Sequence, residues 1–230
     1  MDSWRRHLTV LLGTFAGLVA VSALLVAVAN PYGNLGFSPM RHVLMDDNQR
    51  FQYPAVIRSG RYDSLVVGTS TGRLLEPAQL EAKFGGRFAN LALNSGTAWE
   101  QMRLVRLFRD TVKTPRVLVM ALDHVWCAAD ADTKRITPRG FPEWMFDANP
   151  WNDLLYMLNA RTVEIAGRRI GHALGLARER WPHNGYEVFV PPESKYDLAK
   201  ARHNIHGGTA AATSAASTPE TVPDRKSTRL

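Results

Sequence analysis

Leu65-Val66-Val67-Gly68-Thr69-Ser70 decides the reading of this chain, because a short apolar run ends in a glycine turn and delivers a serine hydroxyl where the run stops. Tyr62-Asp63-Ser64 before it and Thr71-Gly72-Arg73-Leu74-Leu75 after it predict a strand, a turn and the start of a helix. Glu76 to Phe84 then predicts a short helix stopped by Gly85-Gly86, since glycine readily takes the left-handed conformation that ends helices. Phe88 to Leu93 predicts a second strand. Thr97, with Glu100 three positions on, forms a capping box for a helix in which Met102, Val105, Phe108 and Val112 recur at helical spacing. That helix ends near Lys113, because Thr114-Pro115 disfavours helical backbone. Val117 to Leu122 predicts a third strand, apolar throughout and therefore buried on both faces.

Strand, helix, strand, helix, strand within about 60 residues is the pattern of a doubly wound α/β fold with a parallel sheet. Right-handed crossovers put the three strand ends on one edge, where ligands of open α/β sheets bind. Those ends carry Gly68-Thr69-Ser70, Asn94-Ser95-Gly96 and Asp123-His124. A serine nucleophile needs a base to take its proton and N–H donors to hold the oxyanion. Ser70 is the candidate nucleophile, and Gly96 the candidate backbone donor beside Ser70's own N–H.

Leu8 to Ala29 is uncharged, long enough for a helix to cross a hydrocarbon core of roughly 30 Å. Arg5, Arg6 and His7 precede it, which keeps residues 1–7 cytoplasmic and sends everything after Asn30 to the far side. In a bacterium this is a single-pass inner-membrane protein with a periplasmic domain. Ala27-Val28-Ala29 has the form of a signal-peptide cleavage site, so cleavage is the competing reading; the length of the apolar stretch favours an uncleaved anchor at 8–29. The formal charge of +7 comes from arginines spread along the chain without an aromatic-interleaved basic block, which reads as solvated surface and argues against nucleic acid as a partner. The lone Cys127 excludes an intrachain disulfide and reads as a small buried hydrophobe. No residue cluster has metal-ligand spacing and no phosphate-binding glycine loop occurs, so no cofactor is expected.

Residues 30–60 are turn-rich and read as an extended juxtamembrane segment. Beyond Trp126, Asn149-Pro150 starts a helix, Thr162 to Leu174 forms another, Trp181 to Gly185 is a turn and Tyr186 to Phe189 a short strand. Trp126, Trp144, Phe146 and Trp151 fit either a packed core edge or a sugar-binding surface, packing being the commoner use. From Gly207 the chain is Ala, Thr, Ser and Pro with almost no apolar bulk, which predicts a disordered tail over 207–230. Its end, Asp224 to Leu230, also resembles translated sequencing-adaptor sequence, an artefactual origin for the tail.

From Asp63 to Cys127 the chain resembles the membrane-anchored SGNH (GDSL-like) hydrolase superfamily, in the branch related to the teichoic-acid D-alanyl transfer and alginate O-acetylation proteins. The resemblance implies Ser70 as nucleophile, Gly96 as oxyanion donor and Asp123 at the third-block position, where the family usually has Asn. The family's Asp-x-x-His, which supplies the base, occurs nowhere in the chain; His203, His206 and His124 lack a carboxylate at that offset. The resembled fold has about five strands, so residues 61–206 read as a partial, C-terminally truncated member. The activity implied is an acyl-ester hydrolase or acyltransferase acting on cell-envelope or exported polysaccharide, inactive as this fragment, with polysaccharide-modifying membrane proteins as partners. A non-catalytic envelope scaffold or binding protein with the same fold is the alternative.

Overall fold

The structure is a computed structural model, and it describes residues 2–35, 40–134, 137, 139–147 and 150–206. It is α/β: a three-stranded parallel sheet, helices packed around it, and one N-terminal apolar helix.

Helix α1 (Asp2–Ala29) contains an 18-residue stretch of mean hydropathy 2.4 and is long and apolar enough to cross a membrane. Val10, Leu11, Phe15, Leu18 and Val21 are exposed on it. Its last turn is different. Val26 and Ala29 are buried in a core with Val43, Met45, Met145, Met157, Ile165 and Ala166. Ala29, the final residue of the small-x-small triplet, has 0 % exposure, so the end of the apolar span belongs to the folded domain. Helix α6 (Ala160–Ala173) packs against it and sends Arg169 to the helix end, where the guanidinium donates to Asn30 O and, at 3.0 Å, to Arg41 O. A buried cation at a helix C-terminus satisfies orphan carbonyls and opposes the negative end of the dipole.

The extended segment expected over 30–60 is corrected by helix α2 (Gln49–Arg58), which is capped by Asn48 Oδ1 accepting from Arg50 N at 3.1 Å. Its buried face carries Gln49, Arg50 and Gln52 as well as Tyr53, Val56 and Ile57, and Pro54 sits inside it. Hydrogen bonds make those polar residues compatible with burial: Gln52 Oε1 accepts from Met45 N at 3.2 Å, and Gln49 Oε1 from Asn94 N at 2.8 Å.

Strand β1 (Ser64–Gly68) is the middle strand, fully buried, with β2 (Phe88–Asn90) on one side and β3 (Val117–Ala121) on the other. Both pairings are parallel, with Val66 opposite Asn90 and Gly68 opposite Ala121. Glycine is required at 68 because a Cβ there would lie 2.8 Å from that of Ala121. Helix α3 (Pro77–Phe84) joins β1 to β2 and ends at Gly85 with φ +67°. Helix α4 (Ala98–Thr111) joins β2 to β3 with the expected Thr97–Glu100 capping box and packs Leu104, Leu107 and Phe108 into the core.

Four expectations are corrected here. Strand β3 is not buried on both faces: it is an edge strand of the described sheet, and Leu118 is 41 % exposed. Cys127 is exposed, because it follows a 3₁₀ turn at His124–Trp126 beyond the sheet. Tyr186 to Phe189 forms no strand; the preceding loop runs beside β2 instead, with Asn90 N donating to Asn184 O at 2.8 Å. Arg50, Arg73 and Arg169 are buried, so the arginines are not all solvated surface. Trp144 and Phe146 pack in aromatic pairs with Tyr156 and Phe141, the structural one of the two uses foreseen for them. Helix α5 (Pro150–Met157) starts at the proline, as expected. Residues from Phe189 form a separate unit containing helix α7 (Leu198–His206). The tail from 207 lies outside the described residues.

Candidate functional site

The three polar turns meet at the carboxyl ends of the strands. Thr69, buried directly after β1, donates its hydroxyl to Asp123 Oδ2 in the turn after β3. The other carboxylate oxygen accepts from Val125 N at 3.2 Å and caps the 3₁₀ turn that follows. Asp123 is thus held at both oxygens by donors.

Arg73 ties the first turn to the second. It is buried three residues past Ser70 and donates to Asn94 Oδ1 at 2.8 Å. Its other terminal nitrogen pairs with Glu187, and its guanidinium lies 5.3 Å from the centre of the Trp181 ring. The peptide of the second turn is clamped from α2. Arg50 donates to Asn94 O and Ser95 O, each at 3.3 Å, and pairs with both oxygens of Glu100 at 2.7 Å. Both side chains are buried, and Glu100 also accepts from Thr97 N at 3.0 Å. One ion pair therefore fixes the turn and caps α4. Ser95 takes φ +50°, a left-handed conformation that is rare outside glycine.

Ser70 is half-buried within this frame, and its hydroxyl has no hydrogen-bond partner among the described residues. Gly96, the expected oxyanion donor, is buried and its N–H donates to Leu93 O at 3.2 Å. A Cβ at Gly96 would fall 2.8 Å from Leu93 Cβ, so this glycine is required by packing. His124 is exposed beside Asp123. His203 and His206 lie on α7 in the separate unit.

Arg50, Arg73 and Glu187 were not picked out as site residues from the sequence, and Asn94 was read only as part of the second turn. A usable signal existed only for Arg73, a charge in an otherwise apolar Gly72-Arg73-Leu74-Leu75. Buried arginine next to a polar turn signals a fixed, desolvated network. Among the described residues no group of three or more His, Cys, Asp or Glu is placed to hold a metal ion.

Ser70 thus lies between Thr69 and Arg73, which hydrogen-bond to the turns after β3 and β2. No family model, no curated protein and no solved structure matches this chain, so the geometry stands without a relative to interpret it.

Proposed function

We propose that the chain is a membrane-anchored acyl-ester hydrolase or acyltransferase of SGNH type, a doubly wound sheet facing the periplasm of a bacterium, whose substrate is an ester of a cell-envelope or exported polysaccharide. The observation that carries this reading is the unengaged Ser70 hydroxyl at the carboxyl edge of a β2-β1-β3 parallel sheet, bracketed by turns that Arg73 and Thr69 tie together.

In this mechanism Ser70 Oγ attacks the acyl carbon and passes its proton to a base that lies outside the described residues. The oxyanion is held by the Ser70 N–H and by the Gly96 N–H, which exchanges its Leu93 acceptor for the oxyanion. The alcohol leaves with a proton, and the acyl-serine is then cleaved by water or by a sugar hydroxyl. Asp123 keeps its carboxylate on Thr69 and Val125 and acts as a positioning residue, because both of its oxygens are already engaged by those donors. Ester turnover by the membrane-embedded protein with that base present tests this: Ser70→Ala is expected to reduce it to background, and unchanged turnover would contradict it.

A non-catalytic envelope scaffold is the second reading. It is favoured by the Gly96 N–H already in use and by the lack of a histidine hydrogen-bonded to Ser70 among the described residues.

A further inference from the structure

A cavity of about 390 Å³ opens at the other end of α4 from the Ser70 turn, lined by Asp153, Asp147, Asp110, Arg58, Leu107 and Phe146 among others. Helix α4 has 14 residues, so the two ends are about 20 Å apart at the helical rise. The volume is at the lower end of the range for pockets that hold small organic ligands.

Asp153, from α5, is 1 % exposed and its Oδ1 has no hydrogen-bond partner. Arg58 is the guanidinium of the cavity, but its hydrogen bonds go elsewhere. It donates to Asn34 Oδ1 at 3.2 Å, Met145 O at 2.8 Å and Asp147 O at 3.2 Å, and forms no ion pair with Asp153 within 4.0 Å. Burial pushes the Asp153 carboxyl up to about 6 and Asp147 pushes the same way, while the Arg58 charge pulls against them, as does the neighbouring Asn34 amide, whose buried Nδ2 also makes no hydrogen bond within 3.5 Å. An unpaired buried carboxylate is costly, and a proton or a cation removes that cost.

The surroundings favour a cation. Asp147 and Asp110 are exposed at the rim, Asp110 sharing one oxygen with Arg109 at 2.8 Å. The last turn of α4 also ends here, contributing the negative end of its dipole. The described carboxylates are not grouped to hold a metal ion. Leu107 and Phe146 supply an apolar wall instead, which suits an alkyl stem.

We propose that this cavity is a binding site for an organic ammonium, the charged end on the free Asp153 oxygen and the alkyl stem against Leu107 and Phe146. The site is separate from the Ser70 turn and stands whether or not the chain is an esterase. The probe is n-butylammonium chloride, titrated calorimetrically into the detergent-solubilised full chain at pH 7.5 with sodium chloride at equal ionic strength as reference. Saturable one-site binding is expected, weakened at least tenfold by Asp153→Asn. Heat no greater than that of sodium chloride, equal binding by the folded Asp153→Asn chain, or saturable binding of magnesium or calcium in place of butylammonium would each overturn the site. Should Asp153→Asn not fold, Asp147→Asn at the exposed rim carries the test: affinity falling threefold or more supports the site, and unchanged affinity overturns it.

Discussion

The Thr69 hydroxyl donates to the Asp123 carboxylate across the carboxyl edge of the sheet, joining the turn after β1 to the turn after β3. Thr69→Val removes the donor to a charged acceptor and is expected to cost about 1.5–3 kcal/mol of stability. Asp123→Ala removes the same bond together with the cap on Val125. Unfolding of both variants and the double variant should show a coupling of at least about 0.5 kcal/mol; strictly additive effects would mean the two residues do not interact.

Glu100→Gln leaves Arg50 buried against a neutral partner. The expected loss is about 3–5 kcal/mol in denaturant or thermal unfolding of the solubilised chain. Arg50→Lys is not conservative here, because one ammonium cannot pair with both Glu100 oxygens and also donate to the Asn94 and Ser95 carbonyls. A lysine variant as stable as the parent would show that the clamp contributes nothing.

The strands and α4 were legible because short-range patterns carry them: an apolar run ending in a glycine turn, a capping box, a proline before β3. Helix α2 was not legible. Gln49, Arg50 and Gln52 occupy its buried face and Pro54 interrupts it, so no apolar periodicity marks it. Its stability rests on partners about 40 residues or more further on, such as Asn94 and Glu100, which no local window contains. The exposure of β3 escaped the same kind of reading. Its composition matches a central strand, whereas burial depends on what packs beyond it. At the candidate site the serine and its flanking turns were readable, while the arginines that brace them were not, since charge alone does not reveal burial.

The end of α1 is predicted to behave as core and its middle as lipid-facing surface. Ala29→Leu overfills the contact with α6 and should destabilise the domain by about 1–3 kcal/mol. Leu18→Val, on the exposed stretch, should stay within about 0.5 kcal/mol. Equal effects at the two positions in thermal unfolding would contradict the docking of the helix end.

His42 is held neutral. Burial depresses its imidazole to about 3, with Arg169, His183 and Arg61 acting in the same direction. The unfolded chain takes up this proton below pH ~6.5, where the folded chain does not. Its contribution to stability is therefore complete above pH ~6.5 and is lost as pH falls from there towards 3. His42→Phe, similar in size and uncharged, should flatten the fall in melting temperature between pH 6.5 and 4. A slope identical to that of the parent would assign the acid sensitivity to other groups.

The central claim is that Ser70 is a nucleophile. Treating the membrane-embedded protein, with the residues that carry the base present, with a fluorophosphonate and locating the adduct by mass spectrometry tests it most directly, because the reagent modifies activated serines. The account predicts an adduct on Ser70 that disappears in Ser70→Ala. A parent chain that stays unmodified, or carries the adduct on another serine, would contradict it.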